Sequence, residues 1–232
     1  MYFYGIDATY ISLVLPAVIF ALWAQFNVKS TFSKYSKIAS RSGMTGFDSA
    51  RRILDANGLG DVRIAHVSGD LTDHYNPTDN TIYLSDSVYG SNSAAAIGVA
   101  AHEAGHAVQH ATGYTPIKIR AAIIPITNIG SNLAMPLIIL GIILSFPTLA
   151  YIGVAAFGLS TLFQLVTLPV EFDASGRALK ALEGSLDGED LASARKVLRA
   201  AALTYVAALA VSLVNLLRLL IIVAGNDRRR RR

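Results

Sequence analysis

The stretch that decides the fold is an uncharged run of 50 residues, numbered 121–170: AAIIPITNIGSNLAMPLIILGIILSFPTLAYIGVAAFGLSTLFQLVTLPV. It contains no Asp, Glu, Lys, Arg or His and is roughly twice as long as one helix needs to cross a bilayer. Pro147 lies near its middle, and proline cannot continue a helix interior. The run therefore predicts a transmembrane helical hairpin over residues 121–170, with its turn at Pro147.

Two further apolar segments extend this interpretation to the whole chain of 232 residues, which is 53% hydrophobic with a mean hydropathy of +0.44. No charged residue lies between Asp7 and Lys29, so residues 1–28 are predicted to be an N-terminal transmembrane anchor. A fourth span is predicted near 201–224, within a segment 201–232 that ends in five arginines. We expect those arginines to bind acidic lipid head groups and not nucleic acid, because no aromatic interleaving or binding fold accompanies them.

The part between the anchor and the hairpin, residues 29–120, is polar enough for a small α+β arrangement. The chain is therefore predicted to be a mainly α membrane protein with about four transmembrane helices and a small α+β part. The polar part has no cysteine, so a metal there would need His and carboxylate ligands. Its predicted elements are a helix over 46–57 capped by Thr45 or Asp48 and ended by Gly58, strands over 62–67 and 81–84, and a helix carrying residues 94–106.

The motif that points to chemistry is His102-Glu103-Ala104-Gly105-His106, which has the spacing His-Glu-x-x-His. On a helix, residues four apart share one face, so both imidazoles can direct a nitrogen at one ion. Glu103 lies about 100° around the helix, within reach of water bound to that ion. Ser93 can cap this helix, and the small apolar residues 94–101 are typical of a buried one. The pattern indicates zinc-dependent hydrolysis with Glu103 as general base.

Two histidines do not complete a catalytic zinc site, which normally takes three protein ligands and leaves one position for water. His110 lies about 12 Å along the helix axis from His102, too far to share an ion. Glu171 ends the uncharged run, and a hairpin that crosses twice returns it to the membrane side of His106. It is the favoured third ligand, although it could simply mark the membrane boundary, and His66 and His74 remain open as alternatives.

Nearly the whole chain resembles the membrane-bound neutral zinc metallopeptidases often called YugP-like. That family in turn is similar to the gluzincin peptidases with a Glu third ligand, including the HtpX and CAAX-processing types. The resemblance implies His102 and His106 as zinc ligands, Glu103 as general base and Glu171 as third ligand. The segments that carry it are Ala24-Gln25-Phe26, Lys29-Ser30-Thr31-Phe32, Leu71-Thr72-Asp73-His74-Tyr75, the motif at 102–106, and residues 168–175.

The resemblance leaves two structural questions open. In the better-known relatives an Asp usually follows the ligand Glu by four residues and supports the ligands, whereas this chain has Ser175 there and Asp173 nearby. Gluzincins also pair an extended substrate with an edge strand near the zinc. Residues 81–84 are either that strand or an ordinary sheet strand.

A polar loop that contains His74 and Tyr75 precedes the motif. We expect this loop to approach the metal, where a donor from His74 or Tyr75 stabilises the oxyanion formed when water adds to the carbonyl, and His74 is the residue predicted as catalytic. The alternative is that this His and Tyr belong to the surface or to packing.

The function predicted from the sequence is an integral-membrane zinc metallopeptidase acting on polypeptides, with membrane or misfolded proteins as candidate substrates. Zinc-dependent hydrolysis of a non-peptide amide or ester, and a non-catalytic membrane scaffold, are the alternatives. The expected organisation has five segments: an anchor (1–28), a zincin-like part (29–120), the transmembrane hairpin (121–170), a third-ligand and helical segment (171–200), and the C-terminal helix with its arginine tail (201–232). The multi-pass chain is expected in the cell membrane with its catalytic side in the cytoplasm.

Overall fold

The computed structural model describes residues 8–230, and the side chains of residues 8–228. Residues 1–7 of the predicted anchor and Arg231 and Arg232 of the predicted tail lie outside the described residues. The chain divides into two compact units. The apolar unit comprises Met1–Ala24, Ile119–Leu168 and Thr204–Arg232, and the mixed unit comprises Gln25–Lys118 and Pro169–Leu203.

Helices account for most of the described chain. Four of them are long and apolar enough to cross a membrane: Tyr10–Tyr35, Thr115–Ile143, Pro147–Leu182 and Gly188–Arg228. With the small three-stranded sheet, they confirm a mainly α membrane protein with a small α+β part. The elements are a π-helical segment Tyr10–Val14, α1 Leu15–Tyr35, α2 Gly46–Ala56, β1 Arg63–Val67, β2 His74–Asn76, β3 Thr81–Ser85, α3 Ala94–Ala111, α4 Thr115–Ile143, α5 Pro147–Leu182 and α6 Gly188–Arg230.

α4 ends at Ile143 and α5 begins at Pro147, so the break between these helices lies where the sequence predicted the turn of the hairpin. The helices, however, extend beyond the uncharged run. α5 continues past Glu171 to Leu182, because the residues that follow are largely Ala, Leu, Lys and Arg, which favour helix. Gly184, with φ +79°, takes the left-handed conformation shortly after α5 ends.

Small residues bring α4 and α5 together within the apolar unit. A Cβ atom at Gly153 would lie 2.7 Å from the carbonyl oxygen of Ala134, so a side chain there would push the helices apart. Ser131 on α4 and Ser160 on α5 share a hydrogen bond between their hydroxyls. These small and polar residues therefore bring α4 and α5 into close contact, as such residues do in other membrane bundles.

The sheet of the mixed unit has the strand order β1-β3-β2, with β1 parallel and β2 antiparallel to β3. β3 is the central strand, and its Ile82 and Leu84 are fully buried. Its backbone is paired on both sides, so the interpretation of residues 81–84 as an edge strand for substrate is wrong. β2 is an edge strand in a segment that the sequence predicted to be loop, and its three residues are too few for a clear alternating pattern.

α2 and α3 form the packed centre of the mixed unit. Thr45, one of the two residues predicted to cap α2, caps it in a capping box with Asp48. Gly58 follows the end of α2 with φ +70°. The Ser49 hydroxyl on α2 donates to the carbonyl oxygen of Ile97 on α3 at 3.1 Å. This contact between two buried residues holds α3 in a fixed place, which a rigid site on that helix requires.

Candidate metal centre

Both histidines of the motif lie on α3, four residues apart. The Ser93 hydroxyl accepts a hydrogen bond from the Ala96 N–H and caps this helix, as the sequence predicted. The rings of His102 and His106 are 4.7 Å apart between centroids and nearly perpendicular, and both side chains are largely buried. The helix therefore presents two imidazoles side by side on one face.

Glu171 meets these two imidazoles from α5. Its Oε2 atom lies 3.3 Å from Nε2 of His102 and 3.5 Å from Nε2 of His106. The residue is 3% exposed, and a buried carboxylate is stable only when a positive or donor group compensates it. The structure thus brings together the three residues that the sequence proposed as ligands.

The three side chains fit a zinc ion. Their nearest ligand atoms all lie within 4.8 Å of one another. Around a tetrahedral zinc with bonds of about 2.0–2.2 Å, ligand atoms lie about 3.4 Å apart, close to the two distances measured to Glu171. The local field also favours a cation. Burial lowers the pKa of His106, but the hydrogen bond to Glu171 and the charges of Glu103 and Glu171 hold that pKa above its ordinary value.

A close helix crossing sets the distance between α3 and α5 at this point. Gly105, inside the motif, faces the backbone of Ala174, and a Cβ atom at position 105 would lie 2.7 Å from the Ala174 carbonyl oxygen. Gly98, two turns earlier, faces Ala194 of α6 in the same way, at 3.1 Å from its Cβ. Glycine at 105 is therefore needed for Glu171 to approach the histidines this closely.

Ser175 contacts the first histidine of the motif. Its hydroxyl lies 3.1 Å from Nδ1 of His102, on the side of the ring opposite Nε2. The resemblance drawn from the sequence leads to the expectation of Asp at this position, and a serine hydroxyl can accept the same N–H hydrogen bond. The substitution that the sequence left open therefore keeps a polar partner for His102.

The second histidine has a partner that the sequence analysis missed. The Oε1 atom of Gln109 lies 3.0 Å from Nδ1 of His106, and its Nε2 donates to the Val170 carbonyl and to Asp173 Oδ2, each at 2.8 Å. Gln109 is fully buried. The available signal was a polar residue three positions after His106 on a helix whose other buried residues are almost all small and apolar.

Glu103 is also buried, at 8% exposed. It lies within electrostatic range of Asp73, a second carboxyl that the sequence analysis did not single out. Burial raises the pKa of Asp73 most strongly and the charge of Glu103 raises it further, while hydrogen bonds from Ser85 lower it. The Ser85 N–H and hydroxyl hold the Asp73 carboxylate at 2.8 and 2.9 Å.

The remaining candidate histidines have other neighbours. His74 is exposed, stacks on Tyr83 with centroids 4.9 Å apart, and places Nδ1 2.8 Å from the Thr72 carbonyl oxygen. His66 pairs with Asp86 at 2.6 Å on the surface. Within the described part of the chain, the metal-ligand group includes neither of them.

Comparison with known proteins identifies the family of the chain. The model of the family described as "Putative neutral zinc metallopeptidase" matches residues 10–224, which is almost the full length. The chain belongs to this zinc metallopeptidase family. A curated member, described as "Putative membrane protease YugP" of Bacillus subtilis strain 168, is 47% identical over 221 residues, covering 94% of this chain and 98% of the relative. No solved structure matches.

Membership in the zinc metallopeptidase family confirms the resemblance drawn from the motif segments. Zinc is the metal of this family, and the group of His102, His106 and Glu171 has a geometry that could hold one metal ion. The four apolar helices agree with the description of the Bacillus relative as a membrane protein.

Proposed function

We propose that this chain is an integral-membrane endopeptidase of the gluzincin type, with His102, His106 and Glu171 as zinc ligands and Glu103 as general base. The observation that carries the proposal is the convergence of two imidazole nitrogens from α3 and one carboxylate oxygen from α5. Three such ligands leave one zinc position for water. Zinc held by these residues would act as a Lewis acid, lowering the pKa of water and polarising the scissile carbonyl.

Glu103 performs the proton transfers in this proposal. It follows His102 directly and lies about 100° around α3 from it, so its carboxylate borders the same space without being a ligand. The carboxylate takes the proton of the attacking water and delivers it to the leaving amine nitrogen. Its burial supports this role, because a site with little bulk water strengthens charge interactions and protects the transferred proton.

An extended polypeptide is the substrate that suits an edge strand. β2, His74–Asn76, pairs with β3 along one side and packs against α3, the helix that carries the motif. We assign substrate pairing to β2 in place of β3, since a backbone that is paired on one side only can add another strand. The polypeptide class follows from the family, and the cleavage preference is left to experiment.

His74, on β2, stays a predicted catalytic residue. Its Nδ1 donates to the Thr72 carbonyl, so Nε2 can act as an oxyanion donor only when the ring carries both protons. If His74 acts on the oxyanion, His74→Ala should lower kcat by about tenfold or more with little change in zinc content. Tyr75→Phe tests the other donor of this segment, a hydroxyl that here donates to Asn80 Oδ1. A kcat within about twofold of the parent for His74→Ala would remove the assignment.

Hydrolysis of a non-peptide amide or ester would use the same residues. Detergent-purified protein, assayed for zinc content and then with casein, a peptide library and simple esters, separates the two activities. We expect peptide cleavage that chelators abolish and added zinc restores. Ester turnover without peptide cleavage would support the alternative hydrolase, and protein without zinc would support a scaffold.

We further propose that the chain crosses the membrane four times with the catalytic side in the cytoplasm. That side would carry 14 of the 20 Lys and Arg residues, against five in the tail, which follows the positive-inside tendency. Asn92 and Thr148 are both exposed, and the chain has no native cysteine. Cysteines at these two positions should label from opposite sides in oriented vesicles.

A control for this labelling experiment is available beyond the hairpin. A cysteine at Lys180, which is exposed and follows Glu171 on α5, should label from the same side as Asn92. Labelling of Asn92 and Thr148 from one side would disprove the hairpin, and labelling of Asn92 only from outside would reverse the proposed orientation.

A further inference from the structure

We propose that Gln109 is a positioning residue that fixes the tautomer of His106, so that Nε2 is the nitrogen offered to the metal. The inference rests on the proposed function, because it concerns a ligand of that site. Gln109 is the buried polar residue one helical turn after His106, with both ends of its amide hydrogen-bonded. Neither the motif nor the resemblance assigns it a role.

The direction of the Gln109 amide follows from its partners on α5. The Val170 carbonyl oxygen and the Asp173 carboxylate can only accept hydrogen bonds, and both lie 2.8 Å from the same amide atom. That atom must therefore be the NH₂ nitrogen, and the other end, which faces His106, must be the oxygen. A flipped amide would place its oxygen against a carboxylate and a carbonyl at once.

The tautomer of His106 follows from the amide direction. The Gln109 oxygen cannot donate, so Nδ1 of His106 must carry a proton and donate it across the 3.0 Å contact. In the neutral imidazole this leaves the lone pair on Nε2, which is the atom directed at Glu171. A metal ligand needs that lone pair, and the opposite tautomer would offer a proton in its place.

Asp173 is itself held in place. Arg177 donates from Nε to Asp173 Oδ2 at 2.6 Å, and its guanidinium lies over the Tyr114 ring, 5.7 Å from the centroid. The Tyr114 N–H donates to the backbone carbonyl of Gln109 at 3.0 Å, which closes the network on the helix where it began. Because α5 carries both Glu171 and Asp173, the helix that supplies the third ligand also fixes the second histidine.

Zinc affinity distinguishes positioning from a merely structural role. Gln109→Met keeps the length of the side chain and removes the acceptor, so we expect zinc to bind about 10 to 100-fold more weakly than to the parent. A structural role alone would lower the melting temperature of the zinc-free protein without changing the zinc Kd. Thr112→Val is the matched control: it removes the hydrogen bonds from the Thr112 hydroxyl to the backbone carbonyls of Val108 and Gln109, leaves the Gln109 side-chain amide in place, and should leave the Kd unchanged.

A rescue variant tests the acceptor directly. The double change Gln109→Glu with Asp173→Asn keeps an acceptor for His106 Nδ1 and keeps the net charge. The amide at 173 can donate to the second oxygen of the new carboxylate at position 109, which takes the place of the Gln109 nitrogen and loses the hydrogen bond to the Val170 carbonyl. We expect it to bind zinc within about threefold of the parent, because a carboxylate is the commonest partner of a zinc-bound histidine. If Gln109→Met does not fold, the zinc Kd of this variant decides alone.

The outcomes separate this inference from the proposed function. A parent protein that binds no zinc would overturn the proposed function. A parent that binds about one zinc, with Gln109→Met equally tight, would overturn the positioning role and leave the function intact. A rescue variant whose zinc-free form melts like the parent but which binds zinc as weakly as Gln109→Met would overturn it too, whereas weak binding by Gln109→Met with recovery in the rescue variant supports it.

Discussion

Purified Glu103→Gln protein is expected to retain about one zinc per chain and to lose about 10² to 10⁴-fold in kcat for peptide hydrolysis. Gln has nearly the same size and shape as Glu, so the buried space around position 103 stays filled and the three proposed zinc ligands are unchanged. Its amide oxygen cannot take up the proton of the attacking water, however. Zinc analysis and a peptide-cleavage assay on the same preparation measure both quantities.

The control for this change is a second buried carboxylate in the mixed unit. Asp190 is 5% exposed and accepts hydrogen bonds from the Ser40 hydroxyl and the Arg41 N–H through one oxygen, which an amide oxygen can replace. Asp190→Asn should therefore keep both zinc and activity. His106→Ala should lose both. Peptidase activity in Glu103→Gln comparable with that of the parent would remove the general-base assignment.

Some parts of the fold that follow from local sequence were predictable. Pro147 occupies the first position of α5, which suits proline, but Pro125, Pro136 and Pro169 lie inside α4 and α5, so its place near the middle of the uncharged run located the turn as much as its residue type. The cap at Thr45 rests on a hydroxyl and a carboxylate three residues apart. The pairing of His102 with His106 needs only the period of a helix. Each of these features depends on a few neighbouring residues, and their tertiary surroundings do not alter it.

The parts that depend on which elements meet in space were not predictable in the same way. Residues 81–85 look alike in the sequence whether they form an edge or a central strand, because the strand order is set by contacts with β1 and β2. Gln109 gains its two α5 partners only because Gly105 lets α5 approach to van der Waals distance. A buried amide among alanines is a signal of such a contact, but it does not name the partner.

Sequence could propose Glu171 but not show that it reaches the histidines. It lies 65 positions after His106, beyond a hairpin, and its approach depends on the crossing of α3 and α5 at Gly105 and Ala174. The role of Ser175, which stands where the resemblance leads one to expect Asp, also could not be read from the sequence. A residue that looks like a lost Asp turns out to contact His102 through its hydroxyl, which only the packed structure could indicate.

Glu171→Ala should strongly weaken zinc binding, because it removes one of three proposed ligands. The loss should exceed the roughly 10 to 100-fold weakening that is typical of residues that only support a ligand. The protein should remain inserted and folded, since the change also removes a buried charge whose burial is costly once no cation compensates it. A chelator-competition titration of detergent-purified protein measures the Kd, and the melting temperature of the zinc-free form reports folding.

Glu183→Ala provides the matched control for the loss of Glu171, because it removes an exposed carboxylate just after α5 and should leave the zinc Kd unchanged. If Glu171→Ala binds zinc as tightly as the parent, the assignment of the third ligand is wrong, and Asp173 becomes the next carboxylate to test on the same helix. Asp173→Ala then separates two roles of Asp173. If Asp173 is a zinc ligand, Asp173→Ala should lose zinc binding even though Gln109 is intact. If Asp173 only anchors Gln109, a carboxylate at position 109 should restore zinc binding. The loss of zinc from Glu171→Ala alone, with Glu183→Ala unaffected, is the result that the crossing of α3 and α5 predicts.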